Sequence, residues 1–403
     1  MHLSLAVPQK LLVGVLTTLL NCCCREDIDQ VEAIMKKYST IIGNGIRNFH
    51  PAYFAMVMAT GILSIAFDAM DFPGIARALF TLNLFFYLIL CIILAARMMF
   101  FLPDLMADFR TLRHALLFLT FVVGTNNIGI LLLTFHQATG LAIILWFIAL
   151  IGWFVCIYFI LLDLIPMLGK PIHEIVNGAT LLIVVSTVSV SLLAIRLLDA
   201  TDVHAGYAYL AAAGFWVLGF VLYLIIVTLL SYRMFFRRFE PGDWDAPYWI
   251  CMGAAAIIAL TGSEFVIRMP VLPVWEGIRD TVLWMTVFAW VIGTAWIPYQ
   301  LVMDIRKFTR VGIAASTPIW IKAFPWSRLA FGRQYHAYDP PSWSRVFPMG
   351  MYTACTLSLV KAAGFGSLAI ISQYWGWFAL LIWSLTLIGM LRSVINTATI
   401  STH

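Results

Sequence analysis

Side chains able to carry out acid–base, nucleophilic or metal chemistry stand at the margins of long apolar runs in this sequence, and almost none lies inside one. His50, His114, His136, His173 and His204 fall near the ends of runs, as do Asp163, Arg196, Arg268 and Lys361. Glu264 and Arg268 are four residues apart, a helical spacing that predicts a structural ion pair on one face. There is no HExxH zinc motif, no phosphate-cradling glycine loop and no intramembrane histidine pair suited to haem. The seven cysteines (Cys22, Cys23, Cys24, Cys91, Cys156, Cys251 and Cys355) show neither CxxC nor Cys/His ligand spacing, which favours packing over disulfides or a metal site. What the runs do hold is weak hydrogen-bonding groups: Thr60, Ser64, Asn126, Asn127, Ser186, Thr261 and Thr353. Hydroxyls and amides can solvate a passing ion without any covalent step. The expectation is a non-enzymatic protein with no cofactor and no metal.

The elements that must position these groups follow from composition. Of the 403 residues, 62% are hydrophobic and 11% charged, where a soluble domain carries about 25% charged residues. A soluble enzyme, a disordered chain and a nucleic-acid binder are excluded. A hydrocarbon core of ~30 Å needs ~20 apolar helical residues per crossing. Ten stretches qualify: 51–68, 75–97, 114–135, 140–163, 175–197, 206–231, 247–267, 279–301, 346–363 and 368–391. They are too long and too uniformly apolar for barrel strands of ~10 alternating residues. The fold class is an all-α polytopic membrane protein built as five tandem helical hairpins.

Charge sets its orientation. If residues before the first span are cytoplasmic, 20 of the 25 Lys and Arg lie on that side, seven of them in loop 302–345. Both termini are then cytoplasmic, which requires an even number of spans, in a cell membrane. The net charge of +5 is topological and needs no anionic partner. Residues 1–47 read as a cytoplasmic segment, 48–392 as the ten-helix domain and 393–403 as a cytoplasmic tail. The stretch 11–24 is too short to cross and lacks a small-residue cleavage site, so 1–34 reads as an extension upstream of Met35; palmitoylation of Cys22–Cys24 is the alternative. Loop 302–345, with Pro318, Trp320, Phe324, Pro325 and Trp326, reads as an interfacial segment, or as a docking element.

Two kinds of span alternate. Odd spans carry most of the small polar residues, including Thr120, Thr125, Ser189 and Thr356. Trp146, Trp153, Trp216, Trp284, Trp290, Trp296, Trp375, Trp377 and Trp383 lie on even spans, and only Trp249 on an odd one. Small polar side chains suit an interior and bulky aromatic rings suit lipid and interfaces. This predicts an inner ring of odd helices within an outer ring of even helices, with the tryptophans facing lipid and neighbouring subunits.

Two segments carry a resemblance. Asn48-Phe49-His50-Pro51-Ala52-Tyr53-Phe54-Ala55-Met56-Val57-Met58-Ala59-Thr60-Gly61-Ile62 resembles the first-helix signature of the tellurite-resistance/dicarboxylate transporter family, which includes fungal malate and sulfite transporters and the plant slow anion channel. Trp343-Ser344-Arg345-Val346-Phe347-Pro348-Met349-Gly350-Met351-Tyr352 resembles the start of its ninth helix, with a weaker match at Pro247–Ala254. The resemblance covers roughly residues 48–392. It implies a central pore lined by odd helices, a homotrimer, no cofactor, and passage of small anions such as malate, tellurite, sulfite, nitrate or chloride. It also implies that Phe347 plugs the pore, and Pro348 beside it lets the helix bend so that the ring projects inward. Pro51, Pro247 and Pro348 set helix starts or kinks. The chain departs from the family at Ala59, where glycine is usual, and in lacking internal proline in spans 3 and 5, which leaves Gly124, Gly129 and Gly178 as flexible points. A proton-coupled C4-dicarboxylate carrier is the alternative within transport; a membrane enzyme or a non-transporting sensor is the alternative outside it.

Overall fold

A computed structural model describes residues 43–167, 169–171, 175–201, 206–269, 273–310, 324–332 and 338–400. The chain divides into two units, Met1–Phe49 and His50–His403. In the first, the described residues hold a short helix over 43–47, closed by a bond from the Asn48 N–H to the Asn44 carbonyl (3.0 Å). The predicted upstream extension and Cys22–Cys24 lie outside the described residues.

The second unit is helical, with no strand among its described residues. A segment in hydrocarbon must satisfy its own backbone, and a helix does so within itself. Its ten long helices are α1 (Phe54–Ala69), α2 (Pro73–Phe100), α3 (Leu112–His136), α4 (Thr139–Leu164), α5 (Leu182–Ala200), α6 (Gly206–Phe236), α7 (Ile250–Arg268), α8 (Pro273–Arg310), α9 (Trp343–Ala363) and α10 (Ala369–Ile400). Nine of them, all but α9, are long and apolar enough to cross a membrane among the described residues. In α9, Arg345 in the first turn and Lys361 in the last dilute a 21-residue helix that is otherwise as deeply buried as its neighbours.

Packing arranges the helices in two layers. The odd helices close a ring: α1 packs on α3, α3 on α5, α5 on α7, α7 on α9, and α9 returns to α1. Each even helix lies outside, packed on the odd helix before it and on the next one round. Burial follows the layers. In the most apolar stretches of α1, α3, α5 and α7, 78–94% of residues are buried, against 22–33% in the five even helices. The exposed outer faces carry rows of apolar side chains such as Phe85, Leu88 and Ile92, or Ile151, Phe154 and Tyr158, as a lipid-facing layer requires.

The tryptophans correct the sequence-based expectation. Of the nine on even helices only Trp284 and Trp377 are exposed. Four outer helices instead aim an indole N–H inward: Trp153 donates to Thr187, Trp216 to the Ile258 carbonyl, Trp290 to Thr356 and Trp383 to Thr60, all at 2.8–3.0 Å. On α2 the Tyr87 hydroxyl meets Thr125 at 3.1 Å. An indole N–H in hydrocarbon lacks an acceptor, and the polar inner helices supply one. The small polar residues of the inner helices thus serve partly as sockets for the outer ring.

Loop 302–345 also differs from expectation. Helix α8 continues to Arg310, and the segment 324–332 folds back as a 3-10 turn (Pro325–Ser327) and a short helix (Arg328–Phe331) with Trp326, Arg328 and Leu329 buried. A Cβ on Gly389 of α10 would meet the Leu329 carbonyl at 2.2 Å, so only glycine admits this segment. Pro318 and Trp320 lie outside the described residues. Helix α10 runs to Ile400, through most of the predicted tail.

Candidate functional site

The five inner helices run parallel, because their starts meet one another and so do the carboxyl ends of α3, α5 and α7. Four starts are 3-10 turns: Pro51–Tyr53, Gly178–Leu181, Ala246–Trp249 and Pro340–Ser342. Proline at the first positions presets the backbone and lacks the N–H that a helix start would leave unpaired. His50 Nδ1 accepts the Ala52 N–H at 3.3 Å, and Asn177 Oδ1 accepts the Ala179 N–H at 2.9 Å. Burial, then the neighbouring His114 ring 5.8 Å away, holds the His50 imidazole below its ordinary pKa. The Thr120 hydroxyl on α3 reaches the Pro51 carbonyl at 3.2 Å. A Cβ on Gly178 would stand 2.4 Å from the Pro247 carbonyl carbon and the Tyr248 nitrogen, so two turns touch backbone to backbone.

Phe347 belongs to this end. Its neighbours along α9 touch opposite sides of the ring: a Cβ on Gly253 of α7 would meet Pro348 at 2.8 Å, and one on Gly350 would meet Ile62 of α1 at 2.9 Å. Tyr352 and Thr356 bond outward to Thr294 and Trp290 of α8. At about 100° per residue, these contacts claim both flanks and the back of α9. Phe347, 1% exposed, is left on the face turned to the middle of the ring. Pro348 supplies no N–H to the helix, so one turn there is held by fewer bonds.

The other predicted site residues divide. The Asn126 amide donates to Ser189 of α5 and the Asn127 amide to the Met58 carbonyl of α1, while neither side-chain carbonyl has a partner among the described residues. Ser186, Thr261 and Thr353 return their hydroxyls to carbonyls of their own helices. Thr60 accepts from Trp383 of α10, and Ser64 donates to the Ala76 carbonyl of α2 at 2.7 Å, so both turn to the outer layer.

Two constellations join residues that lie far apart in the sequence. At the near end, Asp304 of α8 is fully buried; its carboxylate accepts from Arg345 Nε (2.7 Å) and Nη2 (3.2 Å), Trp244 (2.8 Å) and Trp326 (2.9 Å). This holds the first turn of α9, two residues from Phe347. At the far end, Glu264 does pair with Arg268 (3.1 Å), as predicted, and also with Arg196 of α5 (3.0 Å); Arg268 lies 3.4 Å from Asp199. Arg196 reaches Thr134 of α3 as well, at 3.3 Å. A side chain that touches the helices on both sides of its own faces the middle of the ring. No group of three or more His, Cys, Asp or Glu placed to hold a metal occurs among the described residues.

Residues 48–391, which take in nine of the ten long helices and most of α10, match the voltage-dependent anion channel family. The chain belongs to that family. It is the one to which the motifs at Asn48–Ile62 and Trp343–Tyr352 pointed. Membership makes this an anion channel or transporter of the membrane. Among relatives, an uncharacterized transporter of Methanocaldococcus jannaschii is 23% identical over 364 residues, 87% of this chain and 96% of its own length. A second from the same organism is also 23% identical, over 366 residues, covering 94% of that protein. An uncharacterized membrane protein of Mycobacterium tuberculosis is 28% identical over 176 residues, 44% of this chain and 78% of that one.

Proposed function

We propose that small anions pass through the middle of the five-helix ring and that Phe347 is the gate. The observation that carries this reading is the closed ring itself, with Phe347 on the face of α9 turned to its middle. An apolar ring across a narrow polar path excludes water, and dewetting raises the cost of an ion far above thermal energy. Asn126, Asn127 and Ser186 supply weak successive contacts along the path, which favour release over capture. Thr261 and Thr353 flank it, and Pro51, Pro247 and Pro348 set the helix geometry around its near mouth. Ten crossings, cytoplasmic termini, a homotrimer in the cell membrane, and malate, tellurite, sulfite, nitrate or chloride as cargo complete the proposal. Purified protein in liposomes tests it. Phe347→Ala should raise basal anion flux by about an order of magnitude or more, with Phe347→Leu between it and wild type. A folded alanine variant that is no leakier than wild type refutes the gate.

A further inference from the structure

Glu264 is itself an anion, and its surroundings are those of an anion-binding site. One carboxylate oxygen lies 3.0 Å from Arg196 Nη2 and the other 3.1 Å from Arg268 Nε, so a planar O–C–O group bridges guanidiniums from two adjacent inner helices. Arg196 also contacts the Thr134 hydroxyl on a third. One acid serves two guanidiniums, and bonding is incomplete on both sides: among the described residues Arg196 Nε and Arg268 Nε have no aligned acceptor and Glu264 Oε2 has no aligned donor, although Arg268 Nε lies 3.1 Å from it. A pair built only for stability matches one cation to one buried acid; here two cations converge on Glu264, and among the described residues Arg268 alone of the two has a second acid, the half-exposed Asp199. A guanidinium fork binds planar oxyanions in two-point fashion, and a carboxylate, a nitrate and a substrate carboxyl share that shape.

We infer that Arg196 and Arg268, with Thr134 holding the Arg196 guanidinium in place, form a binding site for a planar oxyanion at the far mouth of the ring, and that the Glu264 carboxylate occupies it as a tethered competitor. An incoming oxyanion must displace Glu264 to bind. The inference deepens the anion-path reading and rests on it only for the direction of traffic, because binding is measured without conduction.

The test is the thermal midpoint of purified protein titrated with sodium nitrate, against sodium HEPES of equal ionic strength. Glu264→Gln removes the competitor and should respond to nitrate with a half-effect concentration about tenfold below wild type, with chloride weaker than nitrate. Glu264→Asp, which withdraws the carboxylate by one methylene, should fall between. Adding Arg196→Gln to Glu264→Gln should abolish the response. If Glu264→Gln does not fold, the aspartate variant decides. Nitrate responses equal to wild type in the folded glutamate variants would overturn the site, whatever Phe347→Ala does to flux. A Phe347→Ala protein that does not leak, beside a nitrate-responsive Glu264→Gln protein, would overturn the gate and keep the site.

Discussion

Each end of the ring contains one buried acid, and the two are built to different purposes. Asp304 meets one arginine and two indole N–H groups, and each of its oxygens accepts two bonds. Arg345 opposite it has 4% of its side chain exposed and lies over the Phe308 ring at 5.2 Å. Glu264 meets two arginines whose side chains are 16% and 24% exposed, and among the described residues atoms on both the acid and the arginines lack an aligned partner. Charge balance with every lone pair used makes an anchor. Two cations on one acid, with partial solvent access and unfinished bonding, make a site. The same residue types therefore have opposite consequences, decided by stoichiometry and access.

The sharpest way to break this contrast is to neutralise each acid in turn. Asp304→Asn leaves Arg345 charged and buried, and breaking such a pair costs about 3–5 kcal/mol. Its thermal midpoint in detergent should collapse. Glu264→Gln, whose arginines keep partial solvent access and Asp199, should melt near wild type in saturating nitrate. Equal losses at both ends would erase the distinction. A smaller effect should follow Trp326→Phe, which keeps the ring and removes one bond to the Asp304 carboxylate, worth about 1.5–3 kcal/mol. That variant should be destabilised yet still folded, and a midpoint unchanged from wild type would remove the indole from the anchor.

The smallest effect separates the ends by pH. Burial and His114 hold the His50 pKa below its unfolded value of 6.5. The folded protein therefore resists protonation there, and His50's contribution to stability is complete above 6.5 and lost as pH falls below it towards the folded value. Melting measured between about pH 7.5 and 5.5 should show a modest fall that His50→Gln reduces. An identical fall in that variant would assign the titration elsewhere.

Much of the architecture could be read from the residues. Ten apolar runs fall on ten long helices, nine of them apolar enough to cross a membrane among the described residues, and the concentration of Thr, Ser and Asn on alternate runs marked the inner layer. The Glu264–Arg268 spacing gave its pair because both partners share one helix. Asp304 escaped notice for the opposite reason. Its partners are 22, 41 and 60 residues away, and a lone aspartate beside Arg306 and Lys307 reads as a solvated loop. The tryptophans were misplaced because ring size was weighed and the indole N–H was not. Two tryptophans, at 244 and 326, in segments otherwise rich in polar residues were the available clue, since a buried indole asks for an acceptor.

The closure of the ring also constrains how the chain is made. The Thr60–Trp383 bond joins residues 323 positions apart, and α9 seals the flank of α1 opposite α3. During synthesis the first hairpin reaches the bilayer long before the last hairpin exists. At ~5–20 residues per second, α1 waits on the order of tens of seconds with its Thr60 side uncovered. A ribosome stalled before α9 would leave an open crescent rather than a smaller ring, and quality-control factors would meet the polar edge of α1 in the lipid.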